Sequence, residues 1–391
     1  MTYVCTQVFF GESESNCGTL DNMEVQPHTI DQLSREEDVR LRDLWEVIPK
    51  DCFEINPAKS WFTFFRICFC ISALSYAIYL VPVSRGPELF WQIPILCCLW
   101  LLQGFTVTGL FVLGHECGHR AFSKRKWVNQ VIGHICFSPL SNALHTWTVT
   151  HDHHHAHTQR RGEEVDWAAH LKTKDEFEQT NWKKDTIVRI GYALPFGIFF
   201  WIISNTLRRG FLVKRQIGEQ KFQKEKRTLL LSNLIMMTTI GTIYAGLFAY
   251  DGIWGILKYY AIPGFVTTLC GALIITVQHA NRHTLSYTKE GWTPLRGQLV
   301  STFDVRFPRI LEWLWLDITI HIPHHIAPSM PWYNLRRASQ AISEAFPEYY
   351  QTQKFSRWHL EWFAKTPFLH EIKDKGVFVM DLPDNREFLE A

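Results

Sequence analysis

Charge imbalance is the first thing this sequence lacks. Over 391 residues the formal net charge is only +2, so charge makes no case for a nucleic-acid partner. A disulfide pattern is also missing. Of ten cysteines, Cys68, Cys70, Cys97, Cys98 and Cys270 lie in apolar runs, where cysteine behaves as a small buried hydrophobe. Cys97 and Cys98 are adjacent and Cys68-x-Cys70 has no partner motif, which argues against a disulfide framework and a zinc ribbon. Residues 1–60 have no basic-then-apolar start, so no cleaved signal peptide is expected and the first spanning segment must act as the insertion signal. No internal repeat or low-complexity segment is evident.

Long apolar runs and aromatics are abundant. Aromatics make up 14% of the chain, and several uncharged stretches are long enough to enter a bilayer. Mean hydropathy is nevertheless near zero, so a sizeable polar part must lie outside the lipid. Residues 61–83 are apolar apart from Arg66. Residues 89–114 carry no charge over 26 positions, about 39 Å as a helix against a hydrocarbon core of roughly 30 Å. The end of that helix should therefore hold His115 and His119 at the interface. Residues 229–250 and 262–277 are further spanning candidates. Residues 131–144 are too short to span and read as interfacial or buried, and 190–207 are interrupted by Pro195 and Gly197. A surface helix is expected over 29–47. From Gln278 onward the chain is soluble in character.

Histidine is the residue around which the chain is organised. Six of the 18 histidines fall in the 13 residues from His145 to His157. Within them, His151-x-x-His154-His155 has i, i+3 and i+4 spacing, which on a helix shares one face and lets three imidazoles approach one point. His115 and His119 form an i, i+4 pair, and His321-Ile322-Pro323-His324-His325 repeats the triplet. These eight histidines, with no carboxylate on the shared faces, imply a metal site built almost wholly from nitrogen, suited to Zn, Cu, Fe or Ni. One zinc takes four ligands, so eight can supply two metals. His134, His145, His170 and His283 read as structural or exposed. His153 and His157 fall off the shared face, as do Glu116 and Asp152, which can orient an imidazole through its second N–H. Pro323 requires either a helix start or a kink, leaving His321 open on geometry alone.

If the clusters build one site they share one side of the membrane. The hairpin over 61–114 then returns the N-terminus to that side, and an even number of crossings must separate the second and third clusters. Three apolar segments are available, so 190–207 should not cross, leaving four spans. The basic segments 120–126 and 208–227 lie on the histidine side, which the positive-inside rule assigns to the cytoplasm.

The set Gly114-His115-Glu116-Cys117-Gly118-His119-Arg120-Ala121-Phe122-Ser123, His151-x-x-His154-His155 and His321-Ile322-Pro323-His324-His325 resembles the three histidine boxes of membrane fatty acid desaturases, in the same order of hairpin, box, box, hairpin, box. The likeness runs from about residue 61 to 336 and is closest to the cyanobacterial Δ12 (oleoyl) acyl-lipid type. Lys126-Trp127-Val128-Asn129, Gly133-His134, His154-His155-Ala156-His157-Thr158 and Pro331-x-Tyr333-Asn334-Leu335 carry the local match. Front-end desaturases usually open the third box with Gln, so His321 counts against them, and no His-Pro-Gly-Gly motif of a fused cytochrome b5 domain occurs.

The resemblance implies an all-α integral membrane protein with four transmembrane helices, interfacial helices and a cytoplasmic helical cap carrying a di-iron site. Residues 1–60 would be a cytoplasmic segment, 61–345 the desaturase domain and 346–391 a cytoplasmic tail, in the ER or in a thylakoid or plasma membrane. The implied ligands are His115, His119, His151, His154, His155, His321, His324 and His325. His279 is implied as a ninth, ending the fourth spanning run as His115 ends the second; His283 is the alternative, and Asn281 can hold a metal-bound water. Two Fe ions and O2 would desaturate an acyl-lipid, with electrons from external ferredoxin or cytochrome b5, which the basic segments can attract. An omega-3 (Δ15) desaturase and a di-iron hydroxylase are the alternatives on the same fold. A metal transporter is disfavoured because its spans would need ionisable residues, and these have almost none.

Overall fold

The computed structural model describes residues 39–83, 86–165, 171–181, 213–214, 217–280, 283–357, 359, 368–372 and 376–380. The segment 190–207 and most of the helix expected over 29–47 lie outside the described residues. The last turns of that helix are present as α1, Leu41–Val47. Its Leu44 enters the main core, and the Trp45 indole donates to the Ile326 carbonyl at 2.7 Å. Helix α2, Pro57–Leu80, starts where its sequence says it should: Asn56 accepts from the Ala58 and Lys59 amides at 3.0 and 3.2 Å, and Pro57 occupies the first turn, where a missing N–H costs nothing. Its Phe62, Phe65 and Phe69 are exposed, as a lipid-facing surface would be.

Helix α3, Leu89–Gly118, runs four residues beyond the uncharged stretch and carries His115 within it. At 30 residues it is about 45 Å long. Burial grows toward its C-terminal half, from Gly104 to Cys117. Gly104 meets Val266 so closely that a Cβ there would lie 2.4 Å from a Val266 methyl carbon. Next come α4, Lys126–Phe137, and α5, Leu144–His157, which holds the second histidine cluster, followed by the short α6, Lys174–Glu178. Trp127, Val131 and Ile135, spaced i, i+4, i+8 along α4, are exposed, giving the short segment an outward apolar stripe.

The apolar run from Glu219 to His279 is not one rod. Helix α7, Glu219–Ile256, breaks at Asp251 (φ −149°, ψ 32°) and Gly252 (φ 57°, ψ −146°). After a π-helical turn over Leu257–Ala261, α8 runs Ile262–His279. The Tyr244 and Tyr260 rings are 5.1 Å apart, whereas sixteen residues of unbroken helix would separate them by about 24 Å. The chain therefore folds back at Asp251–Gly252. Three described segments are long and apolar enough to cross a membrane: Pro57–Leu80, Leu89–Gly118 and this bent run.

The remainder is not purely helical. Strands β1 (Leu285–Tyr287), β2 (Asp304–Arg306), β3 (Thr352–Lys354), β4 (Leu369–Ile372) and β5 (Val377–Met380) alternate with α9 (Arg309–Leu314), α10 (Ile322–Ile326) and α11 (Leu335–Ala345). They form an antiparallel sheet in the order β1-β5-β4 and a parallel β2–β3 pair. These strands qualify the all-α expectation. Each is three or four residues long, too short for an alternating pattern to stand out in sequence. All four residues of β5 are buried, so the described parts of the chain after 345 belong to the core that also holds Leu44 and Cys52.

An ion-pair cluster locks this lobe. The fully buried Glu312 accepts from Arg306 at 2.7 Å and Arg336 at 2.8 Å, and Arg336 also pairs with Asp317. Burial raises the Glu312 pKa, but the two guanidiniums outweigh it and bring it down to about 2. A depressed carboxyl pKa contributes stability above its unfolded value near 4.5 and loses it as pH falls toward 2. Glu312→Gln is expected to cost about 3 kcal/mol at pH 7, the low end for breaking a buried pair because both arginines are partly exposed. The deficit should shrink at pH 3. Thermal unfolding in detergent at the two pH values checks this; equal stability of variant and wild type at pH 7 would count against it.

Candidate metal centre

The end of α3, the C-terminal half of α5, the last residue of α8 and the short α10 with its N-cap converge on one buried volume. Nine histidines meet there, none more than 9% exposed. They form two groups. His115, His119, His151, His155 and His324 offer ligand atoms within 4.8 Å of one another, as do His154, His279 and His325. His321 joins the second group: its Nε2 is 2.9 Å from His279 Nε2 and 3.0 Å from His325 Nε2.

The triplets do not each aim at one point, as the shared-face reading supposed; each splits between the groups. Residues i and i+4 lie about 40° apart around a helix, whereas i+3 is displaced about 60° the other way. His151 and His155 therefore enter the first group and His154 the second, while His321 and His325 enter the second and His324 the first. Pro323 settles as a first-turn proline: α10 begins at Ile322 with His321 as its N-cap in a near-helical conformation (φ −107°, ψ −27°), so the 321/325 pairing survives.

The contacts between rings identify what the volume can hold. His151 Nε2 lies 3.1 Å from both His115 Nε2 and His155 Nε2. A ring nitrogen has one in-plane hydrogen or one lone pair, so it cannot satisfy two such neighbours by hydrogen bonding. His119 Nε2 and both ring nitrogens of His324 are buried with no hydrogen-bond partner among the described residues. Burial first, and neighbouring imidazoles second, hold His151, His155, His324 and His325 well below the ordinary histidine pKa. Neutral rings with inward lone pairs are the state a cation requires.

Carboxylates stand behind the rings, not among them. Glu116 Oε1 faces His115 Nδ1 at 3.1 Å and its Oε2 accepts from the Trp332 amide at 3.2 Å. Glu164 faces His154 Nδ1 with both oxygens, at 2.9 and 3.0 Å, and Gln298 Oε1 is 2.7 Å from His325 Nδ1. A carboxylate accepts, so Glu164, with both oxygens on His154 Nδ1, assigns the proton there and turns Nε2 inward; Glu116 fixes the orientation of the His115 ring from the same Nδ1 side. Asp152 is more distant, 3.9 Å from His119 Nδ1. The orienting roles of Glu164 and Gln298 had no local sequence signal; Glu164 stood in a charged stretch, and Gln298 is 27 residues from the ring it meets.

The remaining histidines have other work. His134 bridges the Gln130 carbonyl and Ser232, and His145 meets Glu225 at 3.1 Å. His153 and His157 stack with ring centroids 4.1 Å apart, and both approach Glu163. His283 belongs to neither group, while His170 and Asn281 lie outside the described residues.

Residues 89–357 match the family Fatty acid desaturase. That span contains every one of the nine histidines. The chain belongs to the fatty acid desaturase family. It is therefore an oxidoreductase. This desaturase is 29% identical to the sn-1 oleoyl-lipid 12-desaturase of Picosynechococcus over 87% of its own length and 92% of the relative's. It is 33% identical to the chloroplastic omega-6 fatty acid desaturase of Glycine max, over 80% and 69%. With the sn-1 acyl-lipid omega-3 desaturase (ferredoxin) of Nostoc it shares 30%, over 88% and 92%.

The two groups give a direct expectation for the purified desaturase. Stripped of metal and titrated with Co2+, it should take up two ions per chain, with absorption changes that saturate at that ratio. Saturation at one ion, or none, would contradict the division into two groups.

Proposed function

We propose that this desaturase is an integral membrane di-iron enzyme that converts an oleoyl-lipid to a linoleoyl-lipid by introducing a cis Δ12 double bond. The observation that carries the metal part is the convergence of nine buried imidazoles in two groups. His115, His119, His151, His155 and His324 would hold one iron, and His154, His279, His321 and His325 the other. Five imidazoles exceed the four of a closed zinc site. The observed ring nitrogens stand 2.9–3.1 Å apart. Such close approach of ring nitrogens is what a shared cation would bring together, with these imidazoles as its ligands.

When bound, the iron pair supplies the O2-dependent oxidation of an unactivated C–H bond, which no side-chain acid or base can perform. The protein supplies geometry and dryness. Glu164 and Gln298 hold ring protons outward, and Glu116 fixes the His115 ring from its Nδ1 side. The Trp147 ring stacks on His151 at 4.2 Å and is backed by Phe137 and Phe111, excluding water from the first group. Gly114 makes room for that wall, since a Cβ there would come within 2.4 Å of the Phe137 ring.

Four crossings belong to this reading: α2, α3, the part of α7 over 229–250, and α8. His115 near the end of α3 and His279 at the end of α8 arrive at one site, and the reversal at Asp251–Gly252 supplies the needed turn on the other side. The positive-inside rule then places the site in the cytoplasm. We place the desaturase domain at 61–345, with the flanking segments at 1–60 and 346–391 on its cytoplasmic side. The resemblance calls for an external one-electron donor, ferredoxin or cytochrome b5, and the printed name of the Nostoc relative includes ferredoxin. That relative also supports omega-3 (Δ15) desaturation as the second reading.

Expression in a host that makes only monounsaturated fatty acids, followed by mass spectrometry of its lipids, should reveal linoleate. A Δ15 product would select the second reading, and hydroxylated acyl chains would overturn both. For the ninth ligand, His279→Ala is expected to lose iron and activity while His283→Ala keeps most of both. Iron per protein in the two purified variants decides it: full occupancy in the His279 variant removes that residue from the ligand set.

A further inference from the structure

Asp304 lies in β2, is 1% exposed and touches no imidazole ring. Its Oδ1 accepts the backbone amides of His321 at 2.6 Å and Ile322 at 2.9 Å. Its Oδ2 accepts the hydroxyls of Ser339 at 3.0 Å and of Tyr350, and the Tyr350 hydroxyl is also 2.7 Å from Ser339 Oγ. The acid's own amide donates to the Gln351 carbonyl at 3.1 Å, beside the β2–β3 pairing. A buried carboxylate is costly unless its lone pairs are satisfied. Here all four donors are fixed, and two of them are the consecutive amides that open the third histidine cluster.

We propose that Asp304 is a positioning residue for the second histidine group, acting through the backbone of His321, with Ser339 and Tyr350 holding the acid in register. His321 is the lever because its ring meets both His279 and His325 while its amide is held by Asp304. Glu116 and Glu164 act differently, each orienting a single ring. The arrangement also gives the chain after residue 345 a part in the site, since Tyr350 completes the shell of Asp304. This rests on the reading that the two groups hold iron.

The test is competitive chelator titration of Fe2+ in the purified full-length protein, with Mössbauer spectra to separate the two sites. Asp304→Ala should weaken the second site about 10–100-fold, the range for lost outer-shell partners, and leave the first site near wild type. Asp304→Asn should rescue most of it: its carbonyl can take both amides, and the two hydroxyls can turn to accept from its NH2. Tyr350→Phe, which keeps the buried ring, should give a smaller loss at the same site. Glu312→Gln, whose arginine partners lie on β2 and α11, serves as the variant that loosens the same lobe without removing the hydrogen bonds to the His321 and Ile322 amides, and should bind both irons normally. Unchanged affinity and spectrum in Asp304→Ala would overturn the proposal, as would equal loss at both sites matched by Glu312→Gln. A wild-type protein that takes up no iron would instead overturn the metal reading itself, and this one with it.

Discussion

Everything in this protein depends on keeping nine imidazoles buried and aimed inward. An imidazole alone in a protein interior loses its charge, since burial favours the uncharged form. Neighbouring imidazoles depress one another further, as the coupling of His155 to His119 and His321 illustrates. The arrangement has no obvious hydrogen-bond solution, because His151 and His321 each face two ring nitrogens at once. A cation would resolve it by accepting all the inward lone pairs, and the acids are placed where they would strengthen this without competing for it. Glu116 and Glu164 accordingly stand behind Nδ1, and among the described residues no carboxylate belongs to either group.

The long helices serve that constraint. Helix α3 exceeds a bilayer core by roughly 15 Å, and the excess is the part that is densely buried and bears His115. Helix α8 delivers His279 in the same way. Close approach makes the delivery accurate, with Gly104 admitting Val266, and Gly109 lying where a Cβ would be 2.2 Å from the Leu314 carbonyl oxygen. The outer lobe closes over the ends: the indole of Trp45 binds the carbonyl at the end of α10, and Arg306, Arg336 and Glu312 clamp α9 to α11. A membrane protein built this way needs little polar content within its spans, which matches their near absence of ionisable residues.

Much of this was legible in the sequence because its signals are local. An uncharged run has a length, and histidines at i, i+3 and i+4 have a helical face, so the spanning helices and the box positions could be read directly. The splitting of each triplet was also latent in helical geometry, since a 100° step separates His154 from His155, but choosing the split requires knowing that two points lie on either side of the helix. The short strands were not legible. Val377–Met380 is an apolar tetrapeptide with no period, and its partners Leu285–Tyr287 and Leu369–Ile372 are set by pairing, not by local preference. Glu164, Gln298 and Asp304 were hidden for the same reason: each acts on a residue that only the fold brings near.

The division between what was visible and what was hidden has a physical basis. Ligand histidines must recur on regular elements because rigid helices are the best supports for a multi-ligand site, and regular elements leave periodic traces. The groups that orient those ligands need only reach a ring nitrogen or a backbone amide, and a loop or strand edge can do that from any sequence distance. Asp304 reaches the His321 amide across 17 residues and Glu116 the Trp332 amide across 216. Such links also tie the first box to the segment after the third, and the third to the chain beyond 345. The outer shell therefore does what the periodic helices cannot: it makes separate helices share one set of coordinates at the two histidine groups.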